Sequence, residues 1–332
     1  MNRYTRQQIL PDVGVDGQAR LTAAHLLVVG AGGLGCPALM YLAGAGVGRI
    51  TIVDPDVVSR SNLHRQVLYT EGDVDHPKAD RAATHLSARN SDIAIVPICA
   101  SLTPATVGGF LDGVDAVLDC ADSFAVSYVL SDACHARELP LFSASALGFA
   151  GYAGGFCGGA PSLRAVFPDL PAQAASCDTA GVMGPLVGTL GAMQAQMALS
   201  YLLALKPAPL GQMLTLDLRT FRSAGFRFDG APEPERILSF VAPDSVTSDD
   251  FAVELRGEDE APLPFVPHAA RHVATDFGPG GPLPKPDQRT VLCCRSGLRA
   301  WTAARLLQAR WPGEISLISM GDAPALTVKG SE

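Results

Sequence analysis

The sequence predicts an α/β fold, a mostly parallel sheet with an antiparallel extension, followed by a second, smaller α/β unit. Three observations carry this. Leu26-Leu-Val-Val-Gly-Ala-Gly-Gly-Leu-Gly35 runs an apolar strand straight into a glycine-rich turn. A small-residue helix over 36–47 and a second apolar run over 49–53 follow, and that run ends in Asp54. Strand and helix patterns then alternate along the first part of the chain, the order that builds a parallel sheet covered on both faces.

The elements follow in order. Residues 1–21 read as a polar opening, a loop and a short helix; the βαβ unit comes next. Residues 55–66 are a polar loop carrying Arg60 and Arg65. Pro77-Lys78-Ala79 opens a helix that runs to about residue 90, and 93–98 is a strand. Residues 104–111 are helical, 116–119 a strand, 123–137 a helix and 140–143 a strand. The glycine-rich, aromatic stretch 144–167 reads as antiparallel strands, and 168–179 as a loop carrying Cys177. Residues 179–205 carry no charge, but Pro185, Gln194, Gln196 and several glycines argue for a buried helix or subunit contact rather than a bilayer span. Strands near 213–218 and 226–228 close the first domain at 229. A linker over 230–240 leads to a second domain over 241–332, where strand 290–294, a helix to about 310 and strand 315–318 make the smaller unit.

Composition narrows the function. The 332 residues are 48% hydrophobic and 17% charged, with a formal net charge of -8. That balance supports a large core and argues against a general nucleic-acid surface. The polar start has no signal-peptide pattern, and eight cysteines without framework spacing read as reduced thiols of a cytoplasmic protein. No CxxC pair exists, so no closed tetrahedral zinc site is expected. Cys36, Cys99, Cys120 and Cys134 fall in apolar segments and are expected in the core.

The chemistry concentrates at strand ends. Gly30, Gly32, Gly33 and Gly35 let a phosphate approach the backbone, where the N–H groups opening the next helix favour an anion. Asp54 falls 24 residues after Gly30, near the offset of roughly 20 at which an acid meets a ribose hydroxyl in Rossmann-like folds. Arg60, Arg65 and Lys78 supply cations. Asp119 and Asp122 suit a magnesium ion held through one or two carboxylates. This set suits triphosphate chemistry better than hydride transfer. Cys294 stands at a strand end, before a Ser-Gly turn and a helix, with Arg295 and Arg299 adding positive field; that setting favours a thiolate or bound persulfide. Cys293 points the other way, into the core.

These residues resemble a known family. Arg3-Tyr-Thr-Arg-Gln, the glycine turn, Ser61-Asn-Leu-His-Arg-Gln, Pro77-Lys78, Asp119-Cys-Ala-Asp122 and Thr179-Ala-Gly-Val-Met-Gly-Pro together look like the MoeB/ThiF/HesA family, bacterial relatives of ubiquitin-activating enzymes. The match covers about residues 2–225. Cys294-Arg-Ser-Gly-Leu-Arg-Ala300 is similar to the loop of a rhodanese domain, here abridged.

The resemblance implies ATP-dependent adenylation of the C-terminal glycine of a small ubiquitin-fold sulfur carrier ending Gly-Gly, in a homodimer that meets neither nucleic acid nor membrane. It implies ATP on Gly30, Gly32, Gly33 and Gly35, ribose on Asp54, and Asp56 and Gln66 in the nucleotide site. Asn62, Arg65 and Lys78 would meet the phosphates and Asp122 a magnesium ion, while Arg6 would enter the partner subunit's site. It further implies a persulfide donor, persulfide sulfur on Cys294 and a part for Cys177 in sulfur transfer. Ser162 and Ala165 stand where many members carry zinc cysteines, and Ser123 replaces the asparagine common after the metal acid. A non-catalytic carrier-binding relative and an NAD-dependent oxidoreductase remain alternatives.

Overall fold

A computed structural model describes residues 3–170 and 181–321. By internal contacts it forms two compact units, divided in the main between Glu233 and Pro234.

The first unit opens with α1 (Thr5–Gln8) and α2 (Gly14–Ala23), then β1 (His25–Val29), α3 (Gly35–Ala45) and β2 (Arg49–Val53). Next come α4 (Lys78–Arg89), β3 (Ala94–Ile98), α5 (Val107–Phe110), β4 (Ala116–Asp119), α6 (Phe124–Ala136), β5 (Pro140–Leu147) and β6 (Ala150–Cys157). It finishes with α7 (Leu163–Val166), the long α8 (Gly184–Leu202), β7 (Gln212–Asp217) and β8 (Arg222–Arg227). The eight strands form one sheet in the order β3-β2-β1-β4-β5-β6-β7-β8. The first five are parallel, and β6, β7 and β8 extend the sheet antiparallel.

The central strands explain the continuous apolar runs. Leu26, Leu27, Val28, Ile50 and Ile52 are fully buried because helices cover both faces of the parallel part. Each such side chain contributes about 1.5–3 kcal/mol relative to exposure. The uncharged stretch is α8, which starts with proline in its first turn and packs on α3, β5 and β6. Its Gln194 is fully buried and donates to the carbonyls of Asp119 (2.6 Å) and Phe142 (2.7 Å), which explains an amide inside an apolar helix. No helix of the described residues is long and apolar enough to cross a membrane.

Several expectations change: the strand expected near 226–228 is β8 over Arg222–Arg227, and the helix α7 falls inside the stretch expected as antiparallel strands. The helix expected over 104–111 shortens to α5. The strand expected over 140–143 runs on to Leu147 and pairs antiparallel with β6. Cys99, expected in the core, is exposed just past the end of the outermost strand β3.

The second unit is a five-stranded parallel sheet in the order β11-β10-β12-β13-β9, built from β9 (Ser239–Phe240), β10 (Phe251–Glu254), β11 (Ala270–Arg271), β12 (Thr290–Cys294) and β13 (Ile315–Ser319). Helix α9 (Leu298–Gln308) packs on β12 and β13. At the end of β10 the buried Glu254 accepts both the Nε (2.9 Å) and an Nη (2.8 Å) of Arg256, and the Phe265 N–H (3.1 Å).

Candidate functional site

The strand order reverses at β1, with β2 on one side and β4 on the other, so the turns leaving β1 and β4 meet at a switch point, where open α/β sheets bind ligands. The meeting is tight. Gly30 has φ +94°, and a methyl group there would stand 2.6 Å from the Cys120 carbonyl oxygen. A methyl on Gly35 would lie 2.0 Å from the Gly30 carbonyl oxygen. Both positions exclude every residue but glycine, and Gly35 opens α3, whose Cys36 N–H donates back to the Gly32 carbonyl of the turn (2.9 Å).

Around this turn the structure gathers side chains from three segments. Gln66 Nε2 lies 3.6 Å, and Arg65 Cδ 3.5 Å, from where a methyl on Gly32 or Gly33 respectively would stand. Gln66 is only 3% exposed, yet its Oε1 has no hydrogen-bond partner among the described residues. A buried amide oxygen without a donor is what a site loses when its ligand is not counted. Asn62 holds the loop through its carbonyl, which accepts the N–H groups of Arg65 (3.1 Å) and Gln66 (3.0 Å). Lys78, at the start of α4, is 5% exposed; its Nζ sits 2.7 Å from the Asp56 carboxylate. Asp73 braces the same loop, accepting from the Thr70 N–H and hydroxyl, Arg81 and His85. Burial opposes its ionisation, but those donors hold its carboxyl well below the usual carboxylate range.

The acids divide by environment. Asp54 is buried and both its oxygens already accept main-chain N–H groups, from Ala31 (2.7 Å) and Asp56 (2.8 Å). It therefore shapes the turn, and a ribose hydroxyl can reach it only as a further donor. Burial pushes its carboxyl up. Asp119 is corrected as a magnesium candidate: it is fully buried, and its oxygens are taken by the Ser143 hydroxyl (2.8 Å) and Ala121 N–H (3.2 Å). Burial pushes it up to about 6. Asp122, three residues on, is exposed at the mouth of the site, before α6. Arg60 leaves the cation set, because it pairs with Glu71 at the surface (3.1 Å).

Magnesium fits this arrangement, since it takes one or two protein carboxylates and completes its shell with phosphate oxygens and water. Among the described residues no group of three His, Cys, Asp or Glu side chains is placed for a closed metal site. Zinc does not fit: Ser162 gives its N–H (2.7 Å) and hydroxyl (2.5 Å) to the carboxylate of Glu233 and caps α7. Beside it the buried Arg164 grips Asp132 with two hydrogen bonds and lies 4.4 Å over the Tyr128 ring.

Arg6 is exposed on α1, which docks at the far end of α3. The Tyr4 ring fills the space over Gly46, and Gln7 donates to the Ala45 carbonyl (2.8 Å). Helix α3 puts about 16 Å between that end and the glycine turn, so Arg6 does not join the site of its own chain.

In the second unit, Cys294 ends β12 fully buried. Its Sγ accepts the N–H groups of Gly297 (3.1 Å) and Ala300 (3.4 Å) at the start of α9. Arg299 adds charge and is fixed by Glu260 (2.6 Å) and the Leu255 carbonyl (3.1 Å). Cys293 lies in the core on the other side, where burial pushes its thiol up. Cys177 lies outside the described residues.

Sequence reasoning missed Tyr69 and Asp73, which hold the site together from beneath. A tyrosine and an aspartate within ten residues of the Arg-Gln pair were the only signals.

A doubly wound α/β unit with an anion-accepting glycine turn at its switch point is the class that fold and site define. The ThiF family matches residues 4–236, and the chain belongs to that family. It is similar to the adenylyltransferase and sulfurtransferase MOCS3 of Bos taurus, 46% identical over 220 residues, which are 65% of this chain and 48% of that one. It is also similar to the SAMP-activating enzyme E1 of Haloferax volcanii, 39% identical over 68% of this chain and 86% of that one. The chain spans about half the length of the adenylyltransferase and sulfurtransferase relatives it matches. A crystal structure of E. coli MccB with ATP superposes with a TM-score of 0.61 at 20% identity, covering 69% of this chain and 72% of that one, and shares the fold.

Proposed function

We propose that this chain adenylates the C-terminal glycine carboxylate of a small ubiquitin-fold sulfur carrier ending Gly-Gly. The carboxylate attacks the α-phosphate of ATP and pyrophosphate leaves. The nucleophile is already ionised, so the protein need only position the reactants and offset negative charge. In this reading the glycine turn and Gln66 cradle the nucleotide, with Asp54 at the ribose and Asp56 and Asn62 beside it. Arg65 and Lys78 offset phosphate charge. Asp122 would hold magnesium, which supplies charge neutralisation at the leaving phosphates. Arg6, mounted away from its own site, serves the partner subunit's site in a homodimer.

The domains follow the same reading: adenylation over 1–229, a linker over 230–240 and a rhodanese-like unit over 241–332. The terminal sulfur of a Cys294 persulfide, loaded by a donor, would displace AMP from the acyl adenylate to give an acyl disulfide; the Cys177 thiolate would then break its S–S bond, releasing the thiocarboxylate and leaving a Cys177–Cys294 disulfide for a cellular thiol to reduce. The cytoplasm, where thiols stay reduced, is the compartment this chemistry suits.

One observation carries the proposal: the buried Gln66 amide and Arg65 lie against the glycine turn, and the Tyr69 hydroxyl links that turn to the start of α4 bearing the nearly sealed Lys78. It is supported by similarity to a SAMP-activating enzyme E1 along most of that enzyme's length. The test is ATP–pyrophosphate exchange with a Gly-Gly-ended carrier. Exchange should depend on both carrier and magnesium and fall at least a hundredfold in Asp122→Ala, the order that loss of one electrostatic group costs; full activity in that variant would remove Asp122 from the site.

A further inference from the structure

The phosphate-facing groups come from three separate segments: the glycine turn, the loop bearing Arg65 and Gln66, and the start of α4 bearing Lys78. One hydroxyl touches all three. Tyr69 belongs to the loop, three residues after Gln66. Its Oη lies 2.8 Å from the Ala31 carbonyl in the turn and 3.2 Å from the Lys78 carbonyl on α4.

These contacts close a circuit. The Ala31 N–H donates to Asp54 Oδ2 (2.7 Å), and Asp54 Oδ1 accepts from the Asp56 N–H (2.8 Å). The Asp56 carbonyl accepts the Lys78 N–H (2.9 Å), and its carboxylate holds the Lys78 ammonium (2.7 Å). The Lys78 carbonyl then meets the Tyr69 hydroxyl, which donates back to Ala31. Ala31 is thus held by its N–H from one side and its carbonyl from the other. The Cys36 thiol adds a weaker donor to that carbonyl at 3.4 Å. Tyr69 is 6% exposed, and burial pushes its phenol above the usual tyrosine range, so the hydroxyl keeps its proton.

We propose that Tyr69 is a positioning residue for nucleotide binding, its hydroxyl fixing the Arg65–Gln66 loop and Lys78 in register with the glycine turn. The inference rests on the adenylation reading above. Tyr69 need not touch the nucleotide. It acts through the three elements that do, so its loss should be read in nucleotide affinity and not in carrier affinity.

The experiment is Tyr69→Phe in the full chain, which keeps the ring and removes only the hydroxyl. The KM for ATP in pyrophosphate exchange should rise about five- to tenfold, the weight of one hydrogen bond. The KM for the carrier should stay at its wild-type value, while the melting temperature without nucleotide falls slightly because buried carbonyls lose their donor. Placing 4-aminophenylalanine at the same position returns a donor and should restore the KM for ATP. Two results overturn the proposal: an unchanged KM for ATP, or a melting temperature that falls while the two KM values move together. A wild-type chain that neither binds ATP nor catalyses exchange overturns the adenylation reading itself, and the positioning role with it.

Discussion

Two turns in this chain have the same local plan and different loads. Each ends a parallel strand, turns through glycine and opens a helix: β1 to α3 at Gly30–Gly35, and β12 to α9 at Cys294–Gly297. In the second, the N–H groups of Gly297 and Ala300 already point at the chain's own sulfur. In the first, the turn is braced from outside by Asp54 and Tyr69, and a buried amide oxygen of Gln66 beside it is left without a donor. The difference shows how one piece of backbone physics serves two purposes. The second cradle is filled by the chain's own sulfur, whereas the first is braced by side chains that come from distant sequence.

The contrast can be broken by removing each load in turn. Cys294→Ala should reduce thiosulfate:cyanide sulfurtransferase activity to background while leaving ATP–pyrophosphate exchange intact; loss of both would mean that the two turns are not independent. Lys78→Ala should do the reverse, lowering exchange by about 10²–10³-fold, as removal of one preorganised charge does. Retained exchange there would mean that the lysine serves only its pair with Asp56.

Asp73→Asn sharpens the comparison on the side of bracing, where four donors converge on one carboxylate. A group with a depressed carboxyl pKa stabilises the fold above its ordinary value of 3.8 and loses that contribution as pH falls toward the folded value. The variant should therefore melt earlier at pH 7, by about 2 kcal/mol of stability. The gap to wild type should close as the pH is taken below about 4, where the unfolded carboxylate also protonates. A gap that stays constant with pH would assign the effect to packing. The smallest expected effect is Glu233→Gln, about 1 kcal/mol, because one acceptor for Ser162 is replaced by a donor; calorimetry with and without a chelator should give the same value.

Much of this was legible. The apolar run into Gly30, the helix over 36–47 and the acid at 54 are local patterns, and most strands and helices formed where their periodicity placed them, α5, β5 and β8 differing in extent. The cysteine-turn-helix at 294 was equally local. What was not legible depends on encounters across the chain. Tyr69 meets a carbonyl 38 positions away, and Gln194 one 75 positions away; no spacing rule anticipates either. Asp54 carries the right offset for a ribose, yet two nearby N–H groups claim its oxygens first. Asp119 and Asp122 look alike in sequence, but one faces the sheet interior and the other solvent, which separates a structural acid from a candidate ligand. Cys99 continues an apolar string just past the end of an outermost strand, where hydrophobic pattern does not guarantee cover.

The Ser162–Glu233 contact has a practical consequence. Where the family resemblance implies zinc cysteines, the present chain ties the corner with a hydroxyl, an amide and a carboxylate of its own. Yield of folded protein from cells starved of zinc should therefore match the yield from replete ones.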